Sequence, residues 1–335
     1  MNILALTTMF AAVLGLAATF LYRRYLLGKL GVFTGKEILV GQSTIAALMC
    51  IAFFVTVGPW WNTFAPEKQN PSIWWIGLGM TTIVGFVIQF ANMRVASLAE
   101  ASFTAPISAM TPGLVLLSAL MIGEKPGRIG IIGIIIVGIG TFIHVREGAS
   151  WREYLKPLFF WRLFSPVEKL PEAERNKILA LRWAYASATC GSIGLLGDGL
   201  IARHGDMILA VTIQLVAFAL GFMVFVPNRT NDERSKSRFF PRLRANAPRM
   251  VIMGIVYGLP FILLGVAFRL APIASIGSLK RLSLVLIAIG GSRLLGEQSG
   301  TRRVLLSMII VVGAILISLD PTSAVFIDSL DAHLQ

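Results

Sequence analysis

Charge is scarce in this chain. Only 14% of its 335 residues are Asp, Glu, Lys or Arg, against about 25% in a soluble domain, which excludes an ordinary water-exposed globule. Acidic residues are scarcer still, 17 against 30 basic ones. Cysteine is nearly absent: Cys50 and Cys190 each lie inside an apolar run, so no disulfide framework is expected and the compartment cannot be read from them. The three histidines, His144, His204 and His333, stand at no metal-ligand spacing, which removes the common zinc-enzyme patterns. No Gly-x-Ser-x-Gly elbow and no dense acid pair occurs, so hydrolytic or phosphoryl-transfer chemistry has little support. What remains is apolar: 56% of residues are hydrophobic and the mean hydropathy is +0.75. That is the composition of an integral membrane protein.

A helix needs about 20 apolar residues to cross the hydrocarbon core. About ten such stretches can be marked, near 2–21, 38–59, 73–93, 97–121, 129–145, 178–201, 207–227, 250–268, 271–295 and 304–319. The first begins directly after Met1-Asn2, without a basic leader, and is followed by Arg23-Arg24, the pattern of a retained helix. Little chain is left for a soluble domain. The long connections are 146–177, between the two halves, and 228–249, which carries seven Lys or Arg. Within the first, WREYLKPLFFWRLF from Trp151 to Phe164 reads as an interfacial segment or as an ordinary charged linker. Trp60, Trp61, Trp74 and Trp75 flank one short connection and read as an aromatic belt. The net charge of +13 sits largely in loops between spans, where anionic lipid headgroups rather than nucleic acid are the expected partner.

One segment occurs twice. LAEASFTAPISAMTPGLVLLSALMIGEK begins at Leu98, and LAPIASIGSLKRLSLVLIAIGGSRLLGEQ begins at Leu270. Both are apolar, open on small and hydroxyl residues, and close on Gly-Glu, at Gly123-Glu124 and Gly296-Glu297. A second match sets GLAATFLYRR, from Gly15, against GLLGDGLIAR, from Gly194, and so Thr19 against Asp198. With five spans per copy, an odd number, the second copy is inverted relative to the first. The expected organisation is a first repeat over 1–145, a basic aromatic linker over 146–177, a second repeat over 178–320 and a tail over 321–335.

In these features the chain resembles the EamA-type families of the drug/metabolite transporter superfamily. The resemblance rests on the Gly-Glu endings, the Pro106 and Pro112 breaks in the 97–121 span and the SLKRLSLVLIAIGG run of the 271–295 span, and it covers nearly the whole chain. It implies ten helices in two inverted five-helix repeats and alternating-access movement of small organic metabolites or drugs, usually outward, across the plasma membrane, here a bacterial inner membrane. No cofactor is implied, and either a monomer or a homodimer fits. The basic 228–249 connection and the 151–164 stretch depart from the short family pattern.

Ionisable groups in hydrocarbon are costly and are functional candidates by default. Glu100, Thr104, Ser108 and Thr111 recur at helical spacing in the 97–121 span and form one polar stripe. Two prolines in that span free backbone carbonyls, which is tolerable only beside protein or water. Lys280 and Arg281 lie about ten residues into the 271–295 span, too deep for easy snorkelling, with Ser278 nearby. Asp198 near the end of the sixth span falls at a depth matching Lys280, and Glu100 could likewise meet Arg24. Such pairs either fix helix register or serve transport, with Lys280 or Arg281 receiving an anionic group and Asp198 or Glu100 exchanging protons. Gln42, Gln89, Asn92 and Gln214 are buried amides that glue helices together or orient a ligand. Glu124 and Glu297 read as helix caps, and the glycines from 127 to 140 with Gly290 and Gly291 as close-packing positions. The cavity is expected between the first, third, fourth, sixth, eighth and ninth spans.

Two questions stay open at this level. Most loop Lys and Arg follow odd-numbered spans, which by the positive-inside rule sets both termini outside, whereas the resemblance implies termini inside. A flippase for a lipid-linked or amphipathic substrate is the alternative within transport, and a membrane-embedded enzyme a more distant one. Substrate and coupling ion are not encoded legibly.

Overall fold

A computed structural model describes residues 3–61, 70–99, 114, 127–145, 166, 170–226, 239–270, 280, 282–296 and 300–319. The described residues are helical, with no strand among them. In chain order the helices are α1 (Ile3–Arg24), α2 (Gly35–Trp61), α3 (Pro71–Leu98), α4 (Arg128–Val145), α5 (Glu172–His204), α6 (Met207–Phe225), α7 (Phe239–Ala245), α8 (Ala247–Leu270), α9 (Leu282–Leu295) and α10 (Gly300–Leu319). A π-helical turn, Tyr25–Lys29, continues α1. Among the described residues, five segments are long and apolar enough to cross a membrane: Leu6–Lys29, Gly35–Val57, Pro71–Leu98, Met207–Phe225 and Ala247–Ala267. Shorter apolar segments lie at Arg128–Gly140, Leu282–Leu295 and Val304–Leu316.

The helix starts follow local chemistry. Thr34 and Glu37 form a reciprocal capping box at α2: the Thr34 amide donates to Glu37 Oε2 at 2.6 Å and the Glu37 amide to Thr34 Oγ1 at 3.3 Å, satisfying two otherwise orphaned donors. Asn70 caps α3 ahead of Pro71, and Asp206 Oδ1 accepts from the Ile208 and Leu209 amides to start α6. Because only Gly205 and Asp206 separate His204 from Met207, α5 and α6 are joined by a tight two-residue turn.

Outward faces are apolar. Leu14, Val55, Ile83, Ile135, Leu220, Val224 and Phe225 are large hydrophobic side chains left exposed, on a scale that a water-soluble monomer avoids and a lipid-facing surface requires. The interior is built by a few extensive helix pairs: α3 on α5, α4 on α10, α1 on α8, and α2 on both α6 and α8, with α9 bridging α1 and α10. Glycine permits several of these approaches. A Cβ at Gly197 would lie 2.5 Å from Thr81 Cγ2 and 3.0 Å from the Gly77 carbonyl oxygen, across α5 and α3. One at Gly15 would lie 2.5 Å from Pro260 Cγ, across α1 and α8, and one at Gly313 would lie 2.9 Å from the Gly133 carbonyl, across α10 and α4. The expected close packing of the 129–145 span is therefore present at Gly133 and at Gly140, whose Cβ would meet Ile310.

One expected surface feature is partly interior. Trp75 is exposed as a belt residue would be, but Trp74 is buried. Its ring packs on Gly205 and its Nε1 donates to the Asp206 carbonyl at 3.3 Å, so it pins the α5–α6 turn to α3. Adjacent residues on a helix point about 100° apart, so of two tryptophans in sequence only one could face outward here. Trp60 and Trp61 have no described side chain.

Candidate functional site

A cavity of about 260 Å³ opens among α1, α3, α5, α6 and α8 and Lys280, two residues ahead of α9. Thr81, Gln89 and Asn92 reach it from α3, Ser187 and Asp198 from α5, Gln214 from α6, and Lys280 from the chain leading into α9. Apolar walls come from Leu16, Met207, Phe218, Phe261 and Leu264, while Gly85, Gly191 and Gly194 keep the backbone close. The volume is just below the roughly 300–1,000 Å³ usual for drug-sized ligands, so the space suits a small solute. A mostly apolar enclosure with a few convergent polar groups is the normal form of such a site.

The polar lining is organised from α3 outward. Ser187 Oγ donates to Asn92 Oδ1 at 2.8 Å, joining α5 to α3 at one end. Gln214 Nε2 donates to the Thr81 carbonyl at 2.9 Å, joining α6 to α3 at the other. Asp198 and Lys280, of opposite charge, line the same space and interact electrostatically. A carboxylate and an ammonium sharing one cavity can each meet a charged group of a solute or hold one another when it is empty.

Of the residues singled out in the sequence, Asp198, Lys280, Gln89, Asn92 and Gln214 come together here. The seventh span, which was not expected to line the cavity, does so through α6. Arg24 does not reach it: its Nη1 donates to the Ala96 carbonyl at 2.7 Å, tying α1 to the end of α3. Glu100, Thr104, Ser108, Thr111, Ser278 and Arg281 lie outside the described residues, as do Glu124 and Glu297 and the 151–164 stretch.

Sequence reasoning passed over Arg23. It is 2% exposed, and its Nη2 donates to Gln42 Oε1 and Gln89 Oε1, both at 3.1 Å. Its guanidinium lies 5.6 Å from the centre of the Tyr257 ring. Gln42 is accordingly a buried partner of a cation. The available signal was the Arg23-Arg24 doublet, whose adjacent side chains point about 100° apart and so meet different surroundings, although the sequence does not say which of them turns inward.

No family model matches the chain, and no curated protein matches it. Among solved structures, one described as "Crystal structure of protein" is similar at 18% identity, covering 92% of this chain and 96% of that chain, with a TM-score of 0.49.

Proposed function

We infer that this protein is a secondary transporter that moves a small organic solute across the plasma membrane by alternating access between two inverted five-helix repeats, in the outward direction that the resemblance implies. The observation that carries the reading is the cavity among the helices with Asp198 and Lys280 on its walls. Charged groups placed deep among apolar helices are retained at a cost, and a transport pathway gives them a use. In this reading Lys280 receives an anionic group of the solute, Gln89, Asn92 and Ser187 orient it, and Asp198 exchanges the coupling proton.

The helix pairings support the two-repeat reading. If α1 to α4 and α5 to α10 contain equivalent units, α1 corresponds to α5, α2 to α6, α3 to α8 and α4 to α10. Exchanging the halves then turns the α3–α5 pair into α8–α1 and the α2–α8 pair into α6–α3, while α2–α6 and α4–α10 map onto themselves. All of these pairs are in contact. Such exchange is what lets one repeat adopt the conformation of the other as the cavity changes face.

The test is ligand-induced stabilisation of purified protein in detergent, across a panel of organic acids, amines, drugs and isoprenoid lipids, beside Lys280→Ala. A ligand at one hundred times its Kd raises stability by about 2.7 kcal/mol. Water-soluble hits lost in Lys280→Ala, followed by their counterflow in proteoliposomes, are expected. Hits confined to lipids would replace solute transport with leaflet exchange, and hits untouched by Lys280→Ala would remove Lys280 from the binding site.

A further inference from the structure

A second polar cluster lies beside the cavity and is closed off from it. Arg23 from α1, Gln42 and Ser43 from α2 and Tyr257 from α8 are buried to 2% exposure or less. Arg23 Nη2 uses both available amide oxygens, those of Gln42 and Gln89. What is left over is uniform in kind. Arg23 Nε and Gln42 Nε2 make no hydrogen bond, while the Ser43 and Tyr257 hydroxyls are within reach of one another and have no other partner, so that three donor protons are left for a ligand: those of Arg23 Nε, Gln42 Nε2 and one of the two hydroxyls. Among the described residues no carboxylate pairs with Arg23.

A buried polar group without a partner costs about 1–3 kcal/mol, and more when it is charged. Native interiors hold few such groups, and here two of them, Arg23 Nε and Gln42 Nε2, adjoin a hydroxyl pair that has only itself for a partner. Water would satisfy donors but leave the charge uncompensated. An acceptor-only anion, a carboxylate, sulfonate or phosphate oxygen, would satisfy both.

Position adds an independent argument. Gln42 stands eight residues beyond its capping residue Thr34, and Gln214 stands eight beyond its capping residue Asp206. Tyr257 is ten residues past the start of α8, and Thr81 is ten past the start of α3. Gln214 and Thr81 are bonded to each other and line the open cavity. Gln42 and Tyr257 are thus their counterparts in the exchanged pair of helices, on the side that is shut. Gln89 joins the two, since it lines the cavity and also accepts from Arg23.

We propose that the Arg23–Gln42–Ser43–Tyr257 cluster is an anion-receiving half-site, closed in this conformation, that opens to water when the cavity changes face and takes the carboxylate, sulfonate or phosphate group of the transported solute. The inference rests on the alternating-access reading and adds a substrate class and a location to it. Opening exposes the unused donors, and closing returns Arg23 to its two glutamines.

The experiment is cysteine labelling in membrane vesicles. Ser43→Cys, nearly isosteric, is placed in a Cys50→Ala, Cys190→Ala background and treated with an anionic ethylsulfonate and a cationic ethyltrimethylammonium methanethiosulfonate. Ser187→Cys serves as the cavity reference. The thiol of the Ser43→Cys variant is expected to react from one membrane face, with the sulfonate favoured about tenfold once each rate is divided by that reagent's rate with a free thiol in solution, in keeping with electrostatic focusing in a low-dielectric cleft. Arg23→Gln abolishes that preference and Arg23→Lys, which preserves the charge and guards against a folding failure, retains it. Equal normalised rates for the two reagents would overturn the anion assignment. An unreactive Ser43→Cys variant beside a reactive Ser187→Cys variant would make the cluster a permanently closed pin while leaving the transport reading intact. A Ser187→Cys variant that reacts at neither face would remove alternating access and the half-site with it.

Discussion

Arg23 and Gln89 are joined by a 3.1 Å hydrogen bond that ties the buried end of α1 to the cavity wall on α3, and Gln42 shares the same guanidinium nitrogen at the same distance. The cation is held by neutral oxygens, so the loss of either amide deepens an existing shortage of acceptors. Gln42→Leu is expected to destabilise the fold by about 1–3 kcal/mol, while Gln42→Glu, which supplies a carboxylate at the same reach, should match or exceed the wild type. Equilibrium unfolding in mixed micelles measures both. A Gln42→Leu protein within about 0.5 kcal/mol of wild type, the range of an inconsequential surface change, would mean that the bond to Gln89 alone suffices.

Gly197 and Gly79 provide a contrast in helix packing. A methyl at Gly197 would meet Thr81 and the Gly77 backbone, whereas one at Gly79 would meet nothing within 4 Å. Overpacking against a backbone that cannot retreat costs about 1–3 kcal/mol, and an exposed helical Gly→Ala change gains up to about 1 kcal/mol of propensity. Gly197→Ala should therefore lower the melting temperature and Gly79→Ala should hold or raise it. Reversal of that order would show that α3 and α5 can separate without loss.

These two cases also mark what the sequence could reveal. The apolar runs give the positions of α1, α2, α3, α6 and α8, the five that are long and apolar enough to cross a membrane, to within a few residues at most of their ends, because a span must satisfy its own backbone and its length is set by the bilayer. Asp198, Lys280, Gln89 and Asn92 stand out because each is polar among apolar neighbours. Arg23 does not, since a basic residue at the end of a span has an ordinary interfacial explanation. Trp74 and Thr81 are illegible for a related reason: whether a tryptophan faces lipid or a helix turn, and whether a hydroxyl faces a cavity or its own carbonyl, depends on rotation about the helix axis. That rotation is set by neighbours distant in sequence, such as Gly205 for Trp74 and Gln214 for Thr81.

Asp206 and Trp74 hold the α5–α6 turn by different means, one by accepting from two amides and the other by packing on Gly205. Asp206→Ala removes the N-cap of α6 and should cost about 0.5–2 kcal/mol, with Asp206→Asn, which keeps the accepting oxygen, losing much less. The comparison is made by thermal unfolding of both variants. Equal loss in the two would assign the effect to the carboxylate charge and not to the capping bonds.

Asp198 and Lys280 lend themselves to a double-mutant cycle, because each faces the cavity from a different helix and the charge of one acts on the other. Asp198→Asn alone leaves a cation deep among apolar helices, and Lys280→Met alone leaves an anion there; removing one partner of a buried pair costs about 3–5 kcal/mol. The double variant removes both charges together and should recover much of that loss, so the coupling is expected at about 0.5–3 kcal/mol. Ligand binding separates structure from function in the same set of proteins. A register pin would lose stability in the single variants yet restore solute binding in the double one, since the cavity shape survives. A charge that meets the solute stays essential, and the double variant would then be stable and unable to bind. Additive losses in the cycle would instead mean that the two groups act separately across the cavity, each answering to the solute and not to the other.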